Sequence, residues 1–201
     1  ILSNNAWKSI AIDATITEDT YLIFDYQSSA EGEVHAIGFD RNNAVSPDWL
    51  FQLDGTETYG LQDENGKYTT GSGYQTYAIK VGDYFQGDFN RLVLAMDDDA
   101  DVGGNSAFRN ITIADAVEVN VNGVASAVFS YGGDQDEGNA AISDNDSRVR
   151  LTDNAWKAIA IDETITEDTY LNFEFRSDAE GEIHGIGFDQ NDALSPKWIF
   201  Q

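Results

Sequence analysis

The sequence predicts an all-β protein: jelly-roll β-sandwich modules in tandem, the terminal ones truncated. Three observations lead there. Apolar residues recur with a period of two, Gly, Asn and Asp punctuate the runs, and a long segment of the chain is repeated.

The strands follow in order. Trp7–Ile12 is the first candidate. In Tyr21-Leu-Ile-Phe-Asp-Tyr-Gln, the residues Leu22, Phe24 and Tyr26 fall on one face. Glu33–Phe39 places Val34, Ala36 and Gly38 opposite His35, Ile37 and Phe39. Trp49–Leu53, Tyr74–Val81, Arg91–Met96, Phe108–Ile113 and Val117–Val121 complete the series, all rich in β-branched and aromatic residues. Asn65-Gly66 is a hairpin turn signal. No run sustains a helical period over three turns. Short strands at this spacing indicate a sandwich of jelly-roll type.

Residues 1–52 recur at 150–201 with a constant offset of 149, no gap, and 35 of 52 positions identical. Asn5-Ala-Trp-Lys returns as Asn154-Ala-Trp-Lys, and the only two histidines, His35 and His184, occupy one repeat position. A unit of this length is too long for a solenoid turn, so each should be a domain of its own. The expected division is a first module over 1–118 lacking its leading strands, a short join over 119–126, and the N-terminal part of a second module over 127–201.

Composition narrows the function. Only 11 Lys and Arg oppose 36 Asp and Glu, a net charge of -25. Such a surface repels nucleic acid and anionic membranes, and suits a protein that gathers cations or stays soluble in salt. No stretch approaches the roughly 18–20 apolar residues of a membrane span, so membrane insertion is not expected. Cys is absent, which removes disulfides and thiolate chemistry and is compatible with an extracellular module that builds a sufficient core.

Four constellations stand out. In Asp97-Asp-Asp-Ala-Asp-Val-Gly-Gly-Asn105, the alternate residues Asp97, Asp99 and Asp101, with Asn105, have the spacing that turns several oxygens toward one Ca²⁺. No Glu closes the loop as in an EF-hand, and a solvated acidic turn is the competing reading. Asp134 and Asp136 lie in a second acidic turn that would complete a metal site if first and last strands pair. Glu33 and His35 share one strand face, as polar contacts of a binding face or as a structural histidine. Adjacent strand spacing is not that of a hydrolase pair, so no catalytic residue is assigned. Among the aromatics, Trp49, Tyr59 and Tyr84 are the candidates for stacking on sugar rings.

The blocks Asn5-Ala-Trp-Lys-Ser-Ile-Ala-Ile-Asp, Ile16-Thr-Glu-Asp-Thr-Tyr-Leu and Glu31-Gly-Glu-Val-His-Ala-Ile-Gly-Phe-Asp resemble the carbohydrate-binding-type β-sandwich modules of secreted bacterial polysaccharide-degrading enzymes. The Tyr131-Gly-Gly-Asp-Gln-Asp opening and the Asn105-Ser-Ala-Phe-Arg-Asn-Ile strand are similar to the same pattern. The resemblance implies a non-catalytic jelly roll, often with calcium, that adheres to a polysaccharide or cell-surface glycan. The alternative is a structural repeat of an extracellular fibre or adhesin, assembled head-to-tail with neighbouring copies of itself through strand exchange.

Overall fold

The computed structural model describes residues 1–100, 103–190 and 195–201, and the chain divides into two compact units, 1–117 and 118–201. The first unit holds eight strands: β1 (Leu2–Ser3), β2 (Ala6–Ile16), β3 (Thr20–Ala30), β4 (Val34–Asp40), β5 (Leu50–Asp54), β6 (Gln75–Lys80), β7 (Gly87–Asp97) and β8 (Asn105–Asp115). They form two four-stranded antiparallel sheets, in the orders β1-β8-β3-β6 and β2-β7-β4-β5. Strands that follow one another in sequence mostly change sheet, and this order is that of a jelly roll.

The core lies between the sheets. Leu22, Phe24 and Tyr26 of β3 share one cluster with Ile37 and Phe39 of β4, Phe51 and Leu53 of β5, and Phe89 and Leu92 of β7. The period of two therefore groups Leu22, Phe24 and Tyr26 on the inward face of β3, whereas Phe89 and Leu92 of β7 depart from it. Aromatic pairs knit the layer, with Phe24 stacked on Tyr77 at 5.3 Å between ring centroids. Strand β3 is buried on both faces: Asp25, on its outward side, accepts from Arg109 Nε at 2.8 Å, Asn110 Nδ2 at 3.0 Å and Thr76 Oγ1 at 2.6 Å. Asn110 reaches that carboxylate from a bulge, where its φ of 52° is one that Asn tolerates.

The Asn65-Gly66 signal marks a turn but no hairpin. It lies in the long connection from β5 to β6, which belong to different sheets. The hairpin that the structure does close with Asn-Gly is at Asn122-Gly123, with φ of 54° and 87°, between β9 (Val117–Val121) and β10 (Val124–Ser130). A two-residue turn of this hand needs positive φ at both positions, which Asn65 does not adopt.

The second unit contains β9 and β10, then β11 (Asn139–Ser143) and β12 (Arg148–Thr152), which pair, and β13 (Lys157–Ile159), which pairs with β10. Two short strands, β14 (Ile186–Gly187) and β15 (Ile199–Phe200), pair near the C-terminus. Among the described residues no helix is long and apolar enough to cross a membrane.

Candidate functional site

The outward face of the β2-β7-β4-β5 sheet carries the most developed surface feature of the first unit. Register places Trp7 of β2 beside Ala95 of β7, Ala95 beside Ala36 of β4, and Ala36 beside Gln52 of β5. The two alanines, with Val34, are buried and make a shallow floor, because small side chains leave room above the sheet. Trp7 and Tyr59 pack onto that floor, ring edge to ring face, with centroids 5.5 Å apart.

Tyr59 arrives there from the connection after β5, and Gln52 is what holds it. The Gln52 side chain is fully buried, an unusual place for an amide. Its Nε2 donates to the carbonyls of Asp54 at 3.2 Å and Glu57 at 2.6 Å, and its Oε1 accepts from Tyr59 N–H at 2.7 Å and Gln62 Nε2 at 2.8 Å. Asp97 joins the pair from β7, its Oδ1 accepting from the Trp7 indole N–H at 3.3 Å. Burial raises the Tyr59 phenol pKa, and the nearby Asp97 carboxylate raises it further. Two half-buried rings and one carboxylate thus converge from β2, β7 and the loop.

The other sugar-stacking candidates lie elsewhere. Trp49 stands edge-on to Phe89 at 5.4 Å, with the Arg41 guanidinium 5.0 Å from its ring. Tyr84 packs edge-on to Phe51 at 5.0 Å; burial raises its pKa first, and Asp63 and Glu64 add to that. Neither shares a ring partner with Tyr59.

His35 and Glu33 prove to be internal braces. His35 is wholly buried between the sheets. Its Nε2 accepts from Gly32 N–H at 2.8 Å, so the ring proton sits on Nδ1 and is donated to Ser106 Oγ at 2.7 Å. Burial pushes the imidazole below its ordinary range, against the pull of Asp54 and Asp98, so both nitrogens are used and the ring stays neutral. It cannot touch a ligand outside. Glu33 Oε2 accepts the backbone N–H groups of Asp99 at 2.7 Å and Ala100 at 3.3 Å, fastening the acidic loop to the start of β4.

In the described part of that loop the polar side chains have separate protein partners. Asp98, one of the residues between, turns inward and accepts Gly104 N–H at 2.7 Å. Asp97 serves Trp7, and Asn105 is latched to Ser29 through Oδ1 and Nδ2 at 3.0–3.3 Å. Asp99 is exposed, its carboxyl pKa raised first by the Glu33 charge, then by a hydrogen bond to it and by Asp97. Asp101 lies outside the described residues. In the second unit Asp134 is exposed, whereas Asp136 is paired with the Lys157 ammonium and accepts Trp156 N–H at 2.9 Å. Burial works to raise the Asp136 carboxyl, but Lys157, Ser130 and the Trp156 N–H outweigh it and hold it below the usual carboxylate range. Among the described residues no three His, Asp or Glu side chains are gathered as a metal site.

Sequence reasoning missed Gln52 and the joint role of Trp7 and Asp97. An amide between Phe51 and Leu53 was the available signal, because a polar residue inside an apolar strand must find partners. Comparison with protein-family models, curated proteins and solved structures finds no match.

Proposed function

We propose that this chain is a non-catalytic module that binds a polysaccharide or cell-surface glycan through the outward face of the β2-β7-β4-β5 sheet. The observation that carries the reading is the convergence of Trp7, Tyr59 and Asp97 over the alanine floor. Aromatic faces stack on the apolar faces of sugar rings, and a carboxylate beside them accepts from hydroxyls. Glu33 and His35, the acid–base cluster of the first unit, are both committed to internal hydrogen bonds, which supports a binding role over catalysis there.

Calcium and an extracellular setting belong to the same reading. The mutual repulsion of Glu33, Asp97 and Asp99, felt as the raised Asp99 pKa, is what a divalent cation would relieve. The absence of Cys and the large acidic excess are consistent with a module outside the cell.

Retention on a panel of soluble and insoluble polysaccharides, with calcium or with chelator, tests this. The wild type should be retained on at least one glycan with no hydrolysis above a heat-killed control, and Tyr59→Ala should lose retention while keeping its melting temperature within a few degrees. Calcium should raise the melting temperature, and Asp99→Ala should lessen that rise. No retention on any glycan, or retention untouched in Tyr59→Ala, would refute the site.

A further inference from the structure

We infer that the glycan site continues around the edge of β5 to a second stacking subsite, built by Tyr84 with Asp63 and Glu64, so that the module takes a stretch of several sugars of a neutral polysaccharide. The inference rests on the glycan-binding reading above. Tyr84 is 41% exposed, the most exposed aromatic ring of the first unit among the described residues, whereas Trp7 and Tyr59 are half-buried against each other. A sugar stacks only on a ring face that it can reach, and Tyr84 offers one. The region lies beside β5 and β6, which stand at the ends of their sheets remote from β2 and β1.

The Tyr84 ring is held in place. It follows the short 3-10 turn Val81–Asp83, and the N–H groups of Tyr84 and Phe85 donate to the Val81 carbonyl at 3.1 and 3.2 Å. That turn is pressed against the chain behind it: a Cβ on Gly82 would lie 2.2 Å from the Thr17 carbonyl oxygen. One edge of the contact is with Phe51, at 5.0 Å between centroids. Burial, then the Asp63 and Glu64 charges, a hydrogen bond to Asp63 and the Asp83 charge all raise the phenol pKa. The hydroxyl therefore stands among three carboxylates, of which Asp63 and Asp83 are exposed and open to sugar hydroxyls. A rim so rich in negative charge repels uronate and sulfate groups and suits neutral sugars.

One rigid segment ties this subsite to Tyr59. Leu61 runs beside β5, its N–H donating to the Leu50 carbonyl at 2.7 Å and its own carbonyl accepting from Gln52 N–H at 2.9 Å. Gln62 locks both ends. Its Nε2 donates to Gln52 Oε1 at 2.8 Å and to the Gly60 carbonyl at 3.0 Å, and its Oε1 accepts from Asn65 Nδ2 at 3.0 Å. Lys67 closes the turn on Glu64 at 3.1 Å. Asp63 comes four residues after Tyr59, so their backbones are at most about 14 Å apart. The two aromatic sites are thus held at a fixed separation, and a glycan laid across both orders little of the protein. The second contact on the same glycan is intramolecular and adds affinity at high effective concentration.

Calorimetric titration of the full chain with cello-, xylo-, manno- and laminari-oligosaccharides, from disaccharide to hexasaccharide, tests this. In whichever series binds, affinity should climb with length. Tyr84→Ala should weaken the hexasaccharide by roughly tenfold or more and leave the disaccharide unchanged. Tyr84→Phe, which keeps the ring, should bind the hexasaccharide nearly as the wild type does. Asp63→Asn, at an exposed position, should weaken the hexasaccharide alone and carries the test if Tyr84→Ala melts early. Tyr59→Ala should weaken both lengths, so it reports on the first site and Tyr84→Ala on the second. A disaccharide bound as tightly as the hexasaccharide, or wild-type hexasaccharide affinity in folded Tyr84→Ala and Asp63→Asn, would overturn the subsite even with Tyr59→Ala inactive. Oligogalacturonides bound more tightly than every neutral series would overturn the neutral class. No binding in any series would overturn the subsite together with the reading it rests on.

Discussion

The two copies of the leading half-repeat separate what a sequence does locally from what it does only with a distant partner. Local features are the same in both. Gly181 N–H donates to His184 Nε2 at 3.0 Å as Gly32 donates to His35, and Thr166 N–H donates to Thr169 Oγ1 at 2.9 Å as Thr17 does to Thr20 at 2.8 Å. Ile186 pairs with Phe200 and Gly187 with Ile199 in the register that joins Ile37 to Phe51 and Gly38 to Leu50. Gly38 and Gly187 also make the same close approach, each pressed against the backbone of the Trp and the residue after it, where a Cβ would clash. Among the described residues, 169–179 carry no strand matching β3, whose hydrogen-bond neighbours in the first copy, β6 and β8, come from far along the chain. Turns and short pairings are fixed by neighbours in sequence, while the core depends on loop closures whose partners must be present.

The largest expected effect comes from making one substitution in both copies. Phe24→Ala removes a ring buried among Tyr77, Tyr26 and Phe108 and should destabilise the first unit by about 3–5 kcal/mol. Phe173→Ala removes an exposed ring and should stay within about 0.5 kcal/mol in the dilute monomer. Urea unfolding followed by Trp fluorescence measures both. Equal losses would mean that the second copy is buried in solution, and the comparison would fail.

A smaller effect separates Gln52 from Gln201. Gln52→Ala strands the Tyr59 N–H and the Glu57 carbonyl around a buried gap, for a cost of about 1–3 kcal/mol. It should also release Tyr59 from Trp7, so glycan retention should fall by more than the stability loss accounts for. Gln201→Ala should change neither quantity. If Gln52→Ala loses stability but keeps full retention, the loop clamp and the binding face are unconnected.

Much of the sandwich was legible in sequence because inward residues alternate cleanly. Leu22, Phe24 and Tyr26 could be assigned to one face without knowing what they meet. The site was harder to read. Trp7, Asp97 and Tyr59 lie on three separate segments, and only the sheet order brings them together. The acidic loop was legible only in part, because alternate spacing does not reveal that Asp98 caps Gly104 or that Glu33 takes the N–H groups of Asp99 and Ala100. Glu33 and His35 share one strand face in sequence, which left open binding-face contacts or a structural histidine. Their strand neighbours show one side chain inside the sandwich and the other clamping a loop.

The smallest effect, and the one that sharpens the comparison most, is its pH dependence. His35 has a folded pKa below its ordinary 6.5, with burial as the main cause, and no counterpart of its burial exists at His184. Above pH 6.5 the histidine is neutral in both folded and unfolded chains and contributes no pH dependence. As pH falls through 6.5 the unfolded state takes up a proton that the folded state refuses, so stability drops. The drop ends once pH is below the depressed folded value, where both states are protonated. Thermal unfolding at pH 7.5 and pH 5.5, in matched salt, should therefore show a lower melting temperature at the acid end for the wild type. His35→Gln should lower the melting temperature at both pH values, since Gly32 and Ser106 lose their partner, yet shrink the difference between them. His184→Gln should reproduce the wild-type difference. A wild-type difference that survives in His35→Gln would assign the effect to the carboxylates, and the buried imidazole would then be a brace with no part in the titration.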